Sequence, residues 1–199
     1  LSKSKGPKMV KVTLQSLNLI LEYILKNNLI FSQLREFEPQ HLAMIANGAS
    51  KCGQALCESV MGSLIDVIND HKNEFKPQGI AMIANGASKC GQELCEKVMG
   101  SLEDGIYKHK DQFNVLDISM IANGASKCDQ KLRDELIPFF RPIILNGESS
   151  NELFEAGVLF GLKDEPSFSE PYGNYFNNRS IDLHGFNPEN VSILMDVIG

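Results

Sequence analysis

The stretch MIANGASKC at residues 44–52 recurs without a change at residues 82–90 and again at residues 120–128, so the period is 38 residues. Flanking positions repeat in the same register. The matched flanking residues are Phe37, Phe75 and Phe113 before the string, and Gln54, Gln92, Gln130, Leu56, Leu94 and Leu132 after it. Self-similarity at one fixed period is typical of proteins that stack copies of a single supersecondary unit.

The first half of each unit predicts a helix. Pro39 and Pro77 suit its first turn, because proline lacks the backbone N–H that would have no partner there. Gly53 and Gly91 are predicted to end this helix in the left-handed conformation that glycine adopts readily. The residues of the first copy that follow the helical spacing of a buried stripe are Leu42, Ile45, Ala46, Ala49 and Cys52.

The second half predicts another helix, from about residue 54 to residue 69 in the first copy. In the third copy Pro138 and Pro142 remove helix hydrogen bonds, so we expect that helix to be kinked or short. Residues 13–37 align with a second helix and are interpreted as an N-terminal half-repeat that caps the stack. The predicted fold is therefore an all-α solenoid, with a basic capping segment at residues 1–38 and three helical hairpins over residues 39–147.

The 38-residue period, the Pro-Gln that opens the unit and the string IANGASKCG at residues 45–53 resemble the octotricopeptide repeat and its shorter relatives in RAP-domain proteins. Similar arrays occur in proteins of intracellular bacteria. The resemblance covers about residues 37–145. It implies that stacked helical pairs bind single-stranded RNA.

Stacking at this period predicts rows of identical side chains on the exposed side of the first helices. Asn47, Asn85 and Asn123 form one row, and Lys51, Lys89 and Lys127 form another. Amides can contact base edges while ammonium groups neutralise phosphates, so these six residues are the candidate RNA-binding set. The alternative is structural: the asparagines bridge neighbouring helices. Likewise the glycines at 48, 86 and 124 either admit a ligand to the backbone or permit close helix packing.

The charge distribution favours a second hypothesis. The chain carries a net charge of −6, and residues 148–199 hold nine acidic and two basic side chains, so the array itself is close to neutral. A near-neutral array predicts weak RNA binding or a protein partner. The methionines at 44, 82 and 120, expected to be exposed, would then belong to a protein-interaction scaffold, such as a bacterial effector that acts in a host cell.

The amino-acid composition also bears on which classes of protein this chain could belong to. Apolar residues make up 43% and charged residues 22%, as in ordinary globular chains, and no apolar run reaches the length of a membrane span. Five cysteines at repeat-related positions predict a reducing, cytoplasmic setting, or translocation into a host cell as the alternative. The C-x4-C spacings straddle a glycine, so neither a metal site nor a cofactor is predicted. Nothing indicates an enzyme.

The C-terminal part is interpreted in two pieces. Residues 148–180 have the composition of a connector, in which Phe168, Tyr172, Tyr175 and Phe176 could dock on the end of the array. Residues 181–199 predict a strand and a helix, and their Asp182-Leu183-His184-Gly185 resembles the opening of an Smr domain, a small module linked to nucleic-acid cleavage. That resemblance implies a nucleic-acid site at Asp182 and His184. If the chain ends within such a domain, the array would be the RNA-positioning part of a nuclease. The alternative is that the segment is a strand and a helix without a catalytic role. In both cases this chain alone is not expected to cut RNA.

Overall fold

The computed structural model describes residues 34–177, and these fold as α-helices without a β-strand. The all-α prediction is confirmed for this range. The helices are α1 (Pro39–Ala49), α2 (Gln54–His71), α3 (Pro77–Ala87), α4 (Gln92–Lys108), α5 (Val115–Ala125), α6 (Gln130–Asn146), α7 (Asn151–Leu159) and α8 (Pro166–Asn177). Single 3-10 turns lie at Leu34–Glu36 and Leu162–Asp164. Most of the predicted capping segment and the whole of residues 181–199, with Asp182 and His184, lie outside the described range.

Helix boundaries follow the sequence period. The first helices α1, α3 and α5 each contain 11 residues and begin at positions 39, 77 and 115. The second helices begin at Gln54, Gln92 and Gln130. Pro39 and Pro77 stand in the first turn, as their missing N–H predicts. Each 38-residue copy is therefore one helical hairpin.

The hairpins lie side by side in two layers. In the first layer α1 packs on α3, α3 on α5 and α5 on α7; in the second, α2 packs on α4, while α6 contacts α7 and α8. One continuous apolar core runs between the layers. Residues with no exposed surface in it include Leu42, Ala46, Ile68, Ile80, Ile83, Val98, Ile106, Ile118 and Phe140. None of the helices in the described range is both long and apolar enough to cross a membrane.

Small residues let the first helices approach closely. A Cβ atom on Gly86 would lie 2.7 Å from the Ala46 carbonyl oxygen, and one on Gly124 would lie 2.9 Å from the Ala84 carbonyl oxygen. Both distances are shorter than a carbon–oxygen contact allows, and the oxygens belong to backbone that cannot rotate away. Glycine at these positions therefore sets the distance between α1 and α3 and between α3 and α5.

The junction between the two helices of a hairpin differs from the prediction. Gly53 (φ −63°, ψ 154°) and Gly91 (φ −63°, ψ 157°) have extended backbone and precede α2 and α4 as N-cap residues. The predicted left-handed helix ends were wrong, because the first helix has already ended at Ala49 or Ala87. The Gly91 N–H donates to Glu58 Oε1 at 2.7 Å, which ties the second hairpin to the first. In the third hairpin Asp129 replaces the glycine and caps α6 by accepting from the Leu132 N–H at 3.0 Å.

Neither proline shortens the last second helix. α6 has 17 residues, as many as α4, and includes both Pro138 and Pro142. The two prolines are four residues apart and both are exposed, so their rings lie on one outward side of the helix.

Residues 148–177 are more regular than a connector. They form α7 and α8, and Phe168, Tyr172 and Phe176 are buried around Phe154. The rings of Phe154 and Phe168 stack with centroids 5.8 Å apart, and Phe176 meets Phe154 edge-on at 5.0 Å. The segment interpreted as a connector is therefore ordered and helical in this range. Its prolines and serines suggested a loop, but the aromatic residues recur every four residues, which is the spacing of a helix face.

The N-terminus of α5 offers a test of local stability. Asn114 Oδ1 accepts from the Asp117 N–H at 3.0 Å, and the Asn114 N–H donates to Asp117 Oδ2 at 3.1 Å. Asn114→Ala is expected to lower the free energy of unfolding by about 1 kcal/mol, because a first-turn N–H loses its acceptor. Lys76→Ala, at the N-cap of α3 where no side chain caps the helix, is the matched control. Urea unfolding that shows equal effects for both variants would contradict this role.

Candidate nucleic-acid interface

The exposed side of α1, α3 and α5 carries the residues that the repeat predicts for RNA binding. Lys51, Lys89 and Lys127 are exposed and follow the ends of these helices, while Asn47, Asn85 and Asn123 lie one turn earlier and are half-buried. Because the three helices pack in order, equivalent side chains stand on successive helices of one surface. We call this surface, formed by the three asparagines and three lysines, the Asn-Lys face.

The lysines emerge from a turn that is built identically in each hairpin. The Ser50, Ser88 and Ser126 hydroxyls donate to the carbonyl oxygens of the asparagines three residues earlier, at 2.7, 2.7 and 2.8 Å. The lysine N–H groups donate to the carbonyls of the preceding glycines at 3.1, 3.2 and 3.1 Å. The same hydrogen bonds thus direct each lysine away from the same point on its hairpin.

Two of the asparagines contact each other. Asn85 Nδ2 donates to Asn47 Oδ1 at 3.1 Å and lies 3.5 Å from Ser50 Oγ. The bridging alternative therefore describes this pair, which links α1 to α3. This hydrogen bond uses one of the two N–H donors of Asn85 and one of the two lone pairs of the Asn47 oxygen, so neither amide is fully used by the bridge. Asn123 forms no equivalent side-chain bond to a described residue, so its amide remains available.

The charges of the array are segregated. Residues 39–53 and 77–91 contain no aspartate or glutamate, and the one acidic residue of α5, Asp117, is 4% exposed and engaged in the helix cap. Burial raises the pKa of Asp117, while its hydrogen bond with the Asn114 backbone opposes that rise. The acidic side chains of the hairpins lie instead mainly on the second helices and in the turns. The first helices themselves therefore expose no carboxylate, while the Glu58 carboxylate at the Gly91 N–H and Asp129 lie at the turns that carry Lys89 and Lys127.

None of the three lysines forms a salt bridge within residues 34–177. On the second helices, in contrast, Lys72 is 2.8 Å from Asp104, Lys97 is 2.7 Å from Glu93 and Lys131 is 3.7 Å from Glu135. Sequence reasoning missed this difference, because charge was summed over the whole repeat. Counting charges separately for the first and second helices would have found it.

Two large apolar side chains are exposed on the first helices. Met44 is 55% exposed and Leu116 is 53% exposed, whereas Met82 and Met120 are half-buried rather than exposed as expected. A cavity of about 700 Å³ lies at the N-terminal ends of α1 and α3 and includes His41, Met44 and Met82 in its lining. The lining combines these side chains with the carboxylates of Glu38 and Glu74.

The glycines of the repeated string are not ligand contacts in α3 and α5. Gly86 and Gly124 are buried beneath the neighbouring first helix, so no ligand reaches their backbone. The packing alternative describes both. No group of three or more metal-ligating side chains occurs in the described range. Of the cysteines in the two C-x4-C spacings, Cys57 contacts Cys90 and Cys95 contacts Cys128, each in the neighbouring hairpin.

Comparisons with protein-family models, curated proteins and solved structures found no match to this chain.

Proposed function

We propose that the chain is an α-solenoid scaffold that binds single-stranded RNA along its Asn-Lys face and performs no catalysis in residues 34–177. One observation carries this proposal: a lysine without a salt bridge to any residue of the described range 34–177 recurs at the same place in three successive hairpins, at the end of helices that carry no exposed acidic side chain. The octotricopeptide-like period is consistent with it. Stacked hairpins with a shared core and matched helix boundaries support the solenoid description.

The spacing of the lysines suits an extended nucleic-acid strand. Packed helices lie about 8–10 Å apart, and close packing at glycine favours the lower end of that range. Successive ammonium groups can then follow successive phosphates of a flexible single strand, while the asparagine row lies next to its bases or riboses. The bases of a duplex are already paired, and a row of half-buried amides cannot enter its deep, narrow major groove.

The composition of the face also predicts what kind of binding to expect. The Asn-Lys face has no aromatic side chain, so the stacking that strengthens many single-strand complexes is absent. Affinity must then come mainly from phosphate neutralisation. At the end of the first layer, Glu152 is exposed in the first turn of α7. Its negative charge would repel a phosphate, so the proposed path of the RNA spans α1 to α5.

A salt titration tests the proposal. The association constant for a fluorescent single-stranded RNA should fall with increasing salt, with a slope of about −2 in a plot of log K against log salt, because three lysines each release about 0.7 counterion. A duplex RNA of equal length serves as the control and should bind more weakly. No detectable binding at low salt, or a slope near zero, would refute the proposal.

A protein-interaction scaffold is the second candidate, favoured by the exposed Met44, which lines the cavity at α1 and α3, and by the exposed Leu116 on α5. It predicts a protein partner that stays bound after nuclease treatment. Met44→Glu should release such a partner, because burying a carboxylate against an apolar surface is unfavourable. RNA binding that is unchanged by Met44→Glu, with no nuclease-resistant partner, would decide against this candidate.

A further inference from the structure

Four of the five cysteines form two thiol pairs, and each pair joins neighbouring hairpins. Cys57 on α2 lies 3.8 Å from Cys90, which follows α3, measured between the sulfur atoms. Cys95 on α4 lies 3.9 Å from Cys128, which follows α5. Both pairs have the same separation of 33 residues along the chain. The stacking of the hairpins therefore builds the same juxtaposition twice.

The surroundings of the two pairs are also alike. The Cys57 thiol donates to the Gly86 carbonyl at 3.4 Å, and the Cys95 thiol donates to the Gly124 carbonyl at 3.4 Å. These contacts aim each second-helix thiol at the turn that carries its partner. Because the glycines bring the hairpins close together, the two sulfur atoms meet without an intervening side chain.

The fifth cysteine has no such partner. Each paired cysteine has its partner 33 positions away along the chain. The residue 33 positions before Cys52 is a leucine, Leu19, and not a cysteine. Cys57 and Cys95 are equivalent positions of the repeat, 38 residues apart, and the next equivalent position holds an arginine, Arg133. Within residues 34–177 the Cys52 thiol donates to the Gly48 carbonyl, at 3.7 Å, and contacts no other thiol. The odd number of cysteines thus consists of two pairs and one single thiol.

We propose that Cys57–Cys90 and Cys95–Cys128 are oxidation sites, at which a hydroperoxide converts each thiol pair to a disulfide that links adjacent hairpins, while Cys52 stays reduced. The inference is independent of the proposed RNA binding. Formation of the bond requires the sulfur atoms to close from 3.8 or 3.9 Å to about 2.05 Å. Side-chain rotation and a small adjustment of the turn supply that movement, since Cys90 and Cys128 lie in short connections rather than within helices.

The reaction begins at the thiol that is both accessible and able to ionise. Cys128 is 5% exposed whereas Cys95 is fully buried. The hydrogen bond between these thiols lowers the pKa of Cys128, and the same bond together with burial raises the pKa of Cys95. In the other pair Cys90 is 6% exposed and Cys57 is fully buried. In both pairs the thiol of the turn is therefore the one that a hydroperoxide can reach.

A hydroperoxide oxidises the pair in two steps. The Cys128 thiolate attacks one oxygen of the hydroperoxide, the O–O bond breaks, and the sulfur becomes a sulfenic acid while the other oxygen leaves as water or an alcohol. The Cys95 thiol then attacks the sulfenic sulfur, so that the S–S bond forms, the S–O bond breaks and water leaves. Two thiols lose two electrons in all, and the peroxide gains them.

The test uses the full, unmodified chain. Folded protein is treated with hydrogen peroxide, quenched, denatured and alkylated, and its peptides are mapped by mass spectrometry. We expect alkylated thiols to fall from the five of the reduced chain to Cys52 alone, with cross-linked peptides joining Cys57 to Cys90 and Cys95 to Cys128. Oxidation in denaturant should scramble these partners, and Cys52→Ser should leave both disulfides unchanged.

Three results would overturn the inference. The first is a Cys52 that is consumed while the paired thiols stay alkylated. The second is a cross-link that includes Cys52, and the third is oxidation of a paired thiol to sulfinic acid without a disulfide. Cys90→Ser gives an independent check, since the folded variant should keep Cys57 alkylated and still form Cys95–Cys128. Formation of Cys57–Cys95 in that variant would also count against the proposal.

Discussion

Gly86→Ala is expected to lower the free energy of unfolding by up to about 2 kcal/mol, although alanine is the better helix former. The added methyl group would lie 2.7 Å from the Ala46 carbonyl oxygen and 3.2 Å from the Met61 sulfur. Overpacking of this kind costs about 1–3 kcal/mol, and the gain in helix propensity offsets about 1 kcal/mol of it. Gly124→Ala should behave alike, because its methyl group would meet Ala84 and Met99. Urea unfolding monitored by circular dichroism measures the change.

Gly100→Ala is the matched control for both variants. Gly100 lies within α4, it is exposed, and a Cβ atom there would have no heavy atom within 4 Å. The same substitution should therefore raise the free energy of unfolding by about 1 kcal/mol. Stabilisation by all three substitutions would mean that the first helices are not in the close contact described above.

Much of the hairpin could be predicted from residues alone. Pro39 and Pro77 fix where the first helices begin, and the spacing of Leu42, Ala46 and Ala49 identifies the buried side. Both signals are local, since they depend on one residue's backbone chemistry or on the period of a single helix. Because the same residues recur every 38 positions, a prediction made for one copy also applies to the others.

The turn between the helices was harder to predict because glycine suits both a helix end and an extended N-cap. The decisive clue was Asp129, which stands where the other copies have Gly53 and Gly91. Aspartate is a common N-cap and seldom ends a helix. A comparison of the third copy with the first two would therefore have placed the boundary correctly.

The candidate site was predicted only in part. The sequence register identifies the rows of asparagines and lysines, but it cannot tell which side chains meet across the stack. The bond from Asn85 to Asn47 depends on how closely α3 approaches α1. Whether Lys51, Lys89 and Lys127 form salt bridges depends on how the charges divide between the two layers, and a sum of charges over the whole repeat does not show this.

Replacing Lys51, Lys89 and Lys127 together by alanine should weaken single-stranded RNA binding by about a hundredfold at 0.1 M salt. The estimate follows from counterion release: three contacts at about 0.7 ion each correspond to about two decades of affinity relative to 1 M salt. The fold should be unaffected, because all three side chains are exposed. Circular dichroism of the variant checks that condition.

The most direct measurement compares this triple variant with one in which Lys97, Lys108 and Lys131 become alanine. These control lysines are exposed on α4 and α6 of the other layer, and their removal changes the net charge equally. Fluorescence anisotropy with one labelled single-stranded RNA then gives both dissociation constants. If the Asn-Lys face binds RNA, only the first variant loses about a hundredfold in affinity; equal losses in the two variants, or no loss in the first, would contradict the proposed interface.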